Sequence, residues 1–163
     1  MPEKDKVVKE LIIKQKAQFN MLEFYKFLSS WFEVNRYIFY ETNYDDTRTD
    51  DKKSLKIKWN GSKDVDDYYR FSIKVTIELK NYEMIETEKE KLVDGELKVE
   101  LESTLILDYE EKWQNNPTMK FLRSTADKFF FSSKHEKYIK ELRNDTYDVF
   151  DKIKSFLNLQ KFR

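Results

Sequence analysis

The most regular signal in the chain is an alternation of apolar and polar residues. Tyr69, Phe71, Ile73, Val75, Ile77 and Leu79 occupy every second position, with Arg70, Ser72, Lys74, Thr76, Glu78 and Lys80 between them. A period of two places the sets on opposite faces of a strand, so the run predicts a half-buried antiparallel β-strand. Leu97, Val99, Leu101, Leu105, Leu107 and Tyr109 repeat the pattern against Lys98, Glu100, Glu102, Thr104 and Asp108. The shared parity predicts Val75 and Leu101 on one face. Leu55, Ile57 and Trp59 alternate with Lys56 and Lys58 in a shorter strand, and Asn60-Gly61 and Asp94-Gly95 read as hairpin turns. The segment 36–44, with Tyr37, Ile38, Phe39 and Tyr40, is apolar on both faces and predicts a well-covered strand, followed by a polar loop over 45–53.

Elsewhere the period is helical. Asn20 and Glu23 form a capping box, and Phe19 and Phe24 stand at the two positions of a hydrophobic staple. A helix is therefore expected from Asn20 through Leu28, Trp31 and Phe32 to about Val34, leaving 6–19 as a first strand. Asn116 with Pro117 predicts a second helix start, continued by Met119, Leu122 and Ala126. Ser133 and Glu136 predict a third, with the stripe Ile139, Leu142, Thr146, Val149, Ile153 and Phe156. The sum is a single α+β domain over 1–163: a curved antiparallel sheet of five or six strands, one early helix, and a long C-terminal helix on one face.

This order, strand, helix, about five strands and a long terminal helix, resembles the helix-grip fold of START-type and polyketide-cyclase-like proteins, with one early helix where two short ones are usual. The resemblance spans most of the chain and implies a class of jobs: binding an apolar small molecule, a lipid or a partner protein, with catalysis in some members only. The segment Asp108-Tyr109, Trp113, Pro117, Phe121-Leu122-Arg123, Asp127-Lys128-Phe129 also resembles archaeal proteins of similar size, a likeness that carries no function with it.

Composition narrows the field. The 163 residues carry 31 basic and 31 acidic side chains, and 38% are charged. Thirteen Phe, ten Tyr and three Trp are too many for a disordered chain. Six arginines leave 25 lysines among the 31 basic residues; with a net charge of zero this argues against nucleic acid as partner. The absence of cysteine excludes disulfides, thiol catalysis and thiolate metal sites, and with no apolar leader or membrane-length run the expectation is a cytoplasmic protein. Abundant Lys and Glu beside four Gln match hyperthermophile usage, and an AT-rich genome gives a similar bias.

Candidate chemistry is sparse. The single histidine, His135, falls at a helix start with no Ser or Asp spacing that suggests a triad. Two acidic clusters, Asp45, Asp46, Asp50, Asp51 and Asp64, Asp66, Asp67, lack a cation-loop pattern and read as solvated turns. Two glycines cannot build a phosphate cradle. Outer-face Lys56, Lys58, Arg70 and Lys74 alternate with Glu78, Glu100 and Glu102, as on a solvated sheet. The expectation is a non-enzymatic binding module without cofactor or metal, holding an apolar ligand between sheet and C-terminal helix, with Trp59, Tyr69, Phe71 and Tyr109 lining the site. The alternative is an interaction module with a filled core that binds a protein through Trp113, Phe121 or the sheet edge. A small enzyme working through acids is third; it would gain if Glu86 and Glu88 lay on the apolar face beside the Asp94-Gly95 turn. The expected outcome there is a three-residue loop with a bulge, in which Val93 faces Leu97, or a hairpin tip projecting beyond the core so that its charges stay wet.

Overall fold

The computed structural model describes residues 3–110 and 128–160. Five strands, β1 (Glu3–Phe19), β2 (Ile38–Arg48), β3 (Lys53–Asp64), β4 (Tyr69–Glu86) and β5 (Lys91–Leu107), form one antiparallel sheet in the order β1-β5-β4-β3-β2. Helix α1 (Met21–Val34) follows β1 and touches β2, and α2 (Lys128–Gln160) lies over β1 and β5. The α+β class with one early and one long terminal helix is the one expected. Val75 pairs directly with Leu101, so the predicted parity holds, and the inner face from Phe71 to Leu79 and from Leu97 to Leu107 is buried. The start of α1 is also as the sequence indicates. Asn20 Oδ1 accepts from the Glu23 amide at 3.2 Å, and the Phe19 and Phe24 rings meet at 5.6 Å.

Both expected glycine turns are corrected. Asn60-Gly61 and Asp94-Gly95 lie inside β3 and β5. A Cβ on Gly61 would occupy the ring of Phe32, and one on Gly95 would press on the Tyr82 backbone and the Lys80 carbonyl at 2.9 and 3.0 Å. These glycines allow close approach, of a helix side chain in one case and of the Asn81–Tyr82 bulge in the other. The described hairpin turns are closed by side-chain oxygens instead. Thr49 Oγ1 donates to the Lys52 carbonyl at 3.1 Å, Asp66 Oδ1 accepts the Tyr68 and Tyr69 amides at 2.8 Å, and Thr87 Oγ1 accepts the Glu90 amide at 3.1 Å. The β4–β5 turn falls at Thr87–Glu90, so the expected register is corrected: Val93 pairs with Met84 and Leu97 with Leu79, and Glu86 and Glu88 are exposed at the tip.

Three further expectations change. The polar run after Tyr44 is strand through Arg48, because pairing with β3 satisfies its backbone whatever its side chains are. The segment expected to be well covered is an edge strand, with Ile38 73% and Tyr44 58% exposed. Ser133 and Glu136 do not cap a helix: both lie within α2, whose 33 residues span about 50 Å. The Asn116-Pro117 start, its stripe through Ala126, Trp113 and Phe121 lie outside the described residues. On α2, Leu142, Thr146, Val149, Ile153 and Leu157 are buried against the sheet. Two carboxylates of that helix anchor α1 and its exit, Asp148 accepting from Trp31 Nε1 and Asp145 from Tyr37 Oη, each at 2.8 Å. The Trp31 indole, with Lys152, outweighs burial and holds the Asp148 carboxyl below its ordinary range.

Candidate functional site

Of the four candidate lining residues, three converge at one end of the sheet. Tyr69 and Phe71 are each 1% exposed on the inner face, under the ring of Tyr138 at 5.0 and 5.9 Å. Tyr109, just past β5, is half-buried. Its Oη donates to the Asp66 carbonyl at 2.8 Å, and the Arg70 guanidinium lies 4.3 Å from its ring centroid. Trp59 stands apart, about 13 Å along β3 from the Phe71 pairing position. It is enclosed by the rings of Phe24, Tyr25 and Phe39, and its indole donates to Glu41 Oε1 at 3.3 Å.

Asp66 is the hub of the converging group. Besides the two amides, its carboxylate accepts from Tyr138 Oη at 3.1 Å and Lys134 Nζ at 3.0 Å. Burial pushes this carboxyl up, but the Tyr69 and Tyr68 amides and the Lys134 ammonium outweigh it and hold it below its ordinary range. Tyr138 moves the other way, pushed up to about 12 by burial and by the Asp66 charge. His135 lies two turns into α2, not at its start, with Nε2 3.0 Å from Asp5 Oδ2 and its ring 5.9 Å from Tyr69. Two other acids of the clusters are likewise paired: Asp64 with Arg70, and Asp46 with Arg48 and Tyr82. Among the described residues no set of three His, Cys, Asp or Glu converges to hold a metal ion, and no helix is long and apolar enough to cross a membrane.

The lowered Asp66 and Asp148 values set a direction for acid unfolding. A carboxyl depressed in the folded state stabilises above its unfolded value near 3.9, and that contribution is lost as pH falls through the folded value. Thermal midpoints should stay level from neutrality to about pH 5 and fall below about pH 4. Asp66→Asn keeps an acceptor for the amides but not the charge. It should lower the neutral midpoint and flatten the acid slope, which a pH series of melting curves measures.

Three grooves open on the other side of the sheet. One of about 500 Å³ crosses Lys14, Glu78, Lys80, Glu96 and Lys98. The others, about 290 and 350 Å³, share Ser72, Lys74, Glu102 and Ile106 and so join into one trough running from Tyr40 to Lys4. Its floor contains Asn60 and Ser72, each only 8% exposed although Lys58, Arg70 and Lys74 flank them on this face. Ser72 Oγ donates to Asn60 Oδ1 at 3.0 Å, and Asn60 Nδ2 to Tyr40 Oη at 2.8 Å. Glu102 takes Lys6 at 2.8 Å and Lys74 at 3.6 Å; burial resists its ionisation, but the two lysines prevail and keep its carboxyl low. The sequence hid this site because alternation marks the outer face only as polar, and Asn60 was masked by the turn-forming habit of Asn-Gly.

No protein-family model matches the chain, and no curated protein shows significant similarity to it.

Proposed function

We propose that the chain is a small non-enzymatic binding module with a helix-grip-like fold, and that it binds through the outer face of its sheet. The last strand pairing with the first and the long terminal helix laid over both support the architectural reading. The observation that carries the site is the contrast between the faces. Trp59, Tyr69 and Phe71 are at most 2% exposed, each against ring side chains of the helices, whereas the trough on the outer face is open. An apolar ligand or lipid inside would have to displace those rings. Acid catalysis has less support, since Asp66, the best-placed acid, is held ionised by four donors.

A second reading, a protein partner at the sheet edge, is favoured by the exposed Ile38 and Tyr44 on β2, where an added strand could pair. Native mass spectrometry of protein drawn from its source cells separates these readings. A chain free of lipid supports the outer-face reading, a stoichiometric lipid opposes it, and a protein complex supports the edge. Ser103 gives an independent check. Its Oγ is on the inner face, 1% exposed, and has no hydrogen-bond partner among the described residues. In a filled core Ser103→Ala should be neutral or stabilising by up to about 1 kcal/mol, whereas a hydroxyl that orients a ligand would make the variant lose that ligand and its stabilisation.

A further inference from the structure

We propose that the outer-face trough binds a small soluble phosphorylated polyol, a sugar phosphate by class. This deepens the outer-face reading and rests on it. The charge of the trough favours a phosphate. Four lysines, Lys4, Lys6, Lys58 and Lys74, and one carboxylate, Glu102, line the joined grooves, a net of three positive charges on a chain whose total is zero. Lys6 and Lys74 share Glu102, and among the described residues Lys4 and Lys58 have no carboxylate partner. Register brings two of the lysines together: Lys58 opposes Thr76, one diagonal step from Lys74, whereas Lys4 and Lys6 lie on β1, two strands beyond Lys74 at the far end of the trough. Such diagonal neighbours have Cβ atoms about 7–8 Å apart, within reach of one anion for side chains as long as lysine. A phosphate dianion matches the excess, and lysine binds phosphate as a compact point charge.

The floor of the trough favours a polyol. In the chain from Ser72 through Asn60 to Tyr40, Asn60 donates one Nδ2 hydrogen to the tyrosine oxygen, which leaves the second Nδ2 hydrogen and the Tyr40 hydroxyl proton for a ligand. Thr76 and Thr104 add hydroxyls along the trough. Polar groups of this density suit hydroxyls on the ligand and give no berth to an acyl chain. Among the described residues the aromatics lining the trough are Tyr40 and Trp59, and Trp59 is buried among inner-face rings, which leaves too few for the stacked bases of a single-stranded nucleic acid.

The test is an ¹H–¹⁵N NMR titration of the full chain with glucose 6-phosphate, glucose, oligouridine and phosphatidylglycerol vesicles. Saturable shifts with glucose 6-phosphate are expected at the Asn60 side-chain amide and at Lys58, Ser72 and Lys74, with little response to glucose. Lys58→Gln with Lys74→Gln should weaken binding at least about tenfold with the melting temperature little changed, and Tyr40→Phe should weaken it by a smaller factor. Glucose binding as tightly at the same residues would overturn the phosphate class and leave the outer face standing. Preference for oligouridine or vesicles, or unsaturable shifts spread equally over Lys14, Lys16 and Lys80, would overturn the proposal. If no probe moves a trough residue, the proposal falls; if a lipid is also found bound inside, the outer-face reading falls with it.

Discussion

Phe24→Ala should cost about 3–5 kcal/mol, enough to leave a domain of ordinary stability partly unfolded at 37 °C. Phe24 is fully buried and touches three elements. Its ring lies 5.6 Å from Phe19 at the end of β1, 6.3 Å from Trp59 on β3, and 5.5 Å from Phe156 on α2. Truncation removes the aromatic contacts and leaves a cavity that rigid strands on one side and a 33-residue helix on the other cannot close. Tyr25, one position on and 42% exposed, provides the control: Tyr25→Ala should cost no more than about 1 kcal/mol. Urea denaturation of the two variants measures both values.

Gly61→Val should cost about 3 kcal/mol or more, for the opposite reason. No cavity forms; a side chain is forced into the space of the Phe32 ring, which is itself fully buried between Trp31, Tyr37 and Phe39. Gly61→Ala should cost about 1–3 kcal/mol. Phe32→Ala should cost about 3–5 kcal/mol alone, yet the double variant Gly61→Ala, Phe32→Ala should be more stable than the two losses added together, since the new methyl fills part of the vacated ring. If Gly61 were a turn glycine the two sites would not be coupled, and the cycle would close to within about 0.5 kcal/mol.

That contrast marks what the sequence made legible. Features that depend on period and local chemistry came through: the inward parity of Val75 and Leu101, the Asn20 cap, the Phe19–Phe24 staple, and the α2 stripe around Leu142 and Val149. Features set by what arrives from elsewhere in the chain did not. Gly61 and Gly95 look like turn residues until Phe32 and the Tyr82 bulge occupy the space above them. Thr49 and Thr87, which do close turns, have weaker local signals than Asn-Gly or Asp-Gly. Edge position is likewise invisible in segment 36–44, whose aromatics predict cover that only neighbouring strands could supply. Of the candidate site, the sequence found the aromatic end at Tyr69, Phe71 and Tyr109 but not its organiser, Asp66, which reads as one acid among three in a turn.

Under the proposed function, the chain's own side chains fill the space between sheet and helices and binding takes place outside it. The most direct measurement is the response of the Trp59 indole NMR signal to a neutral apolar probe, 1-decanol, since Trp59 is 2% exposed on the inner face and its indole proton is held by Glu41. A filled core predicts that the signal stays in place and that the melting temperature does not rise as the probe approaches saturation. A saturable shift of Trp59, with a rise in melting temperature of the size that binding linkage requires, would place the ligand between the sheet and α2 and contradict the account.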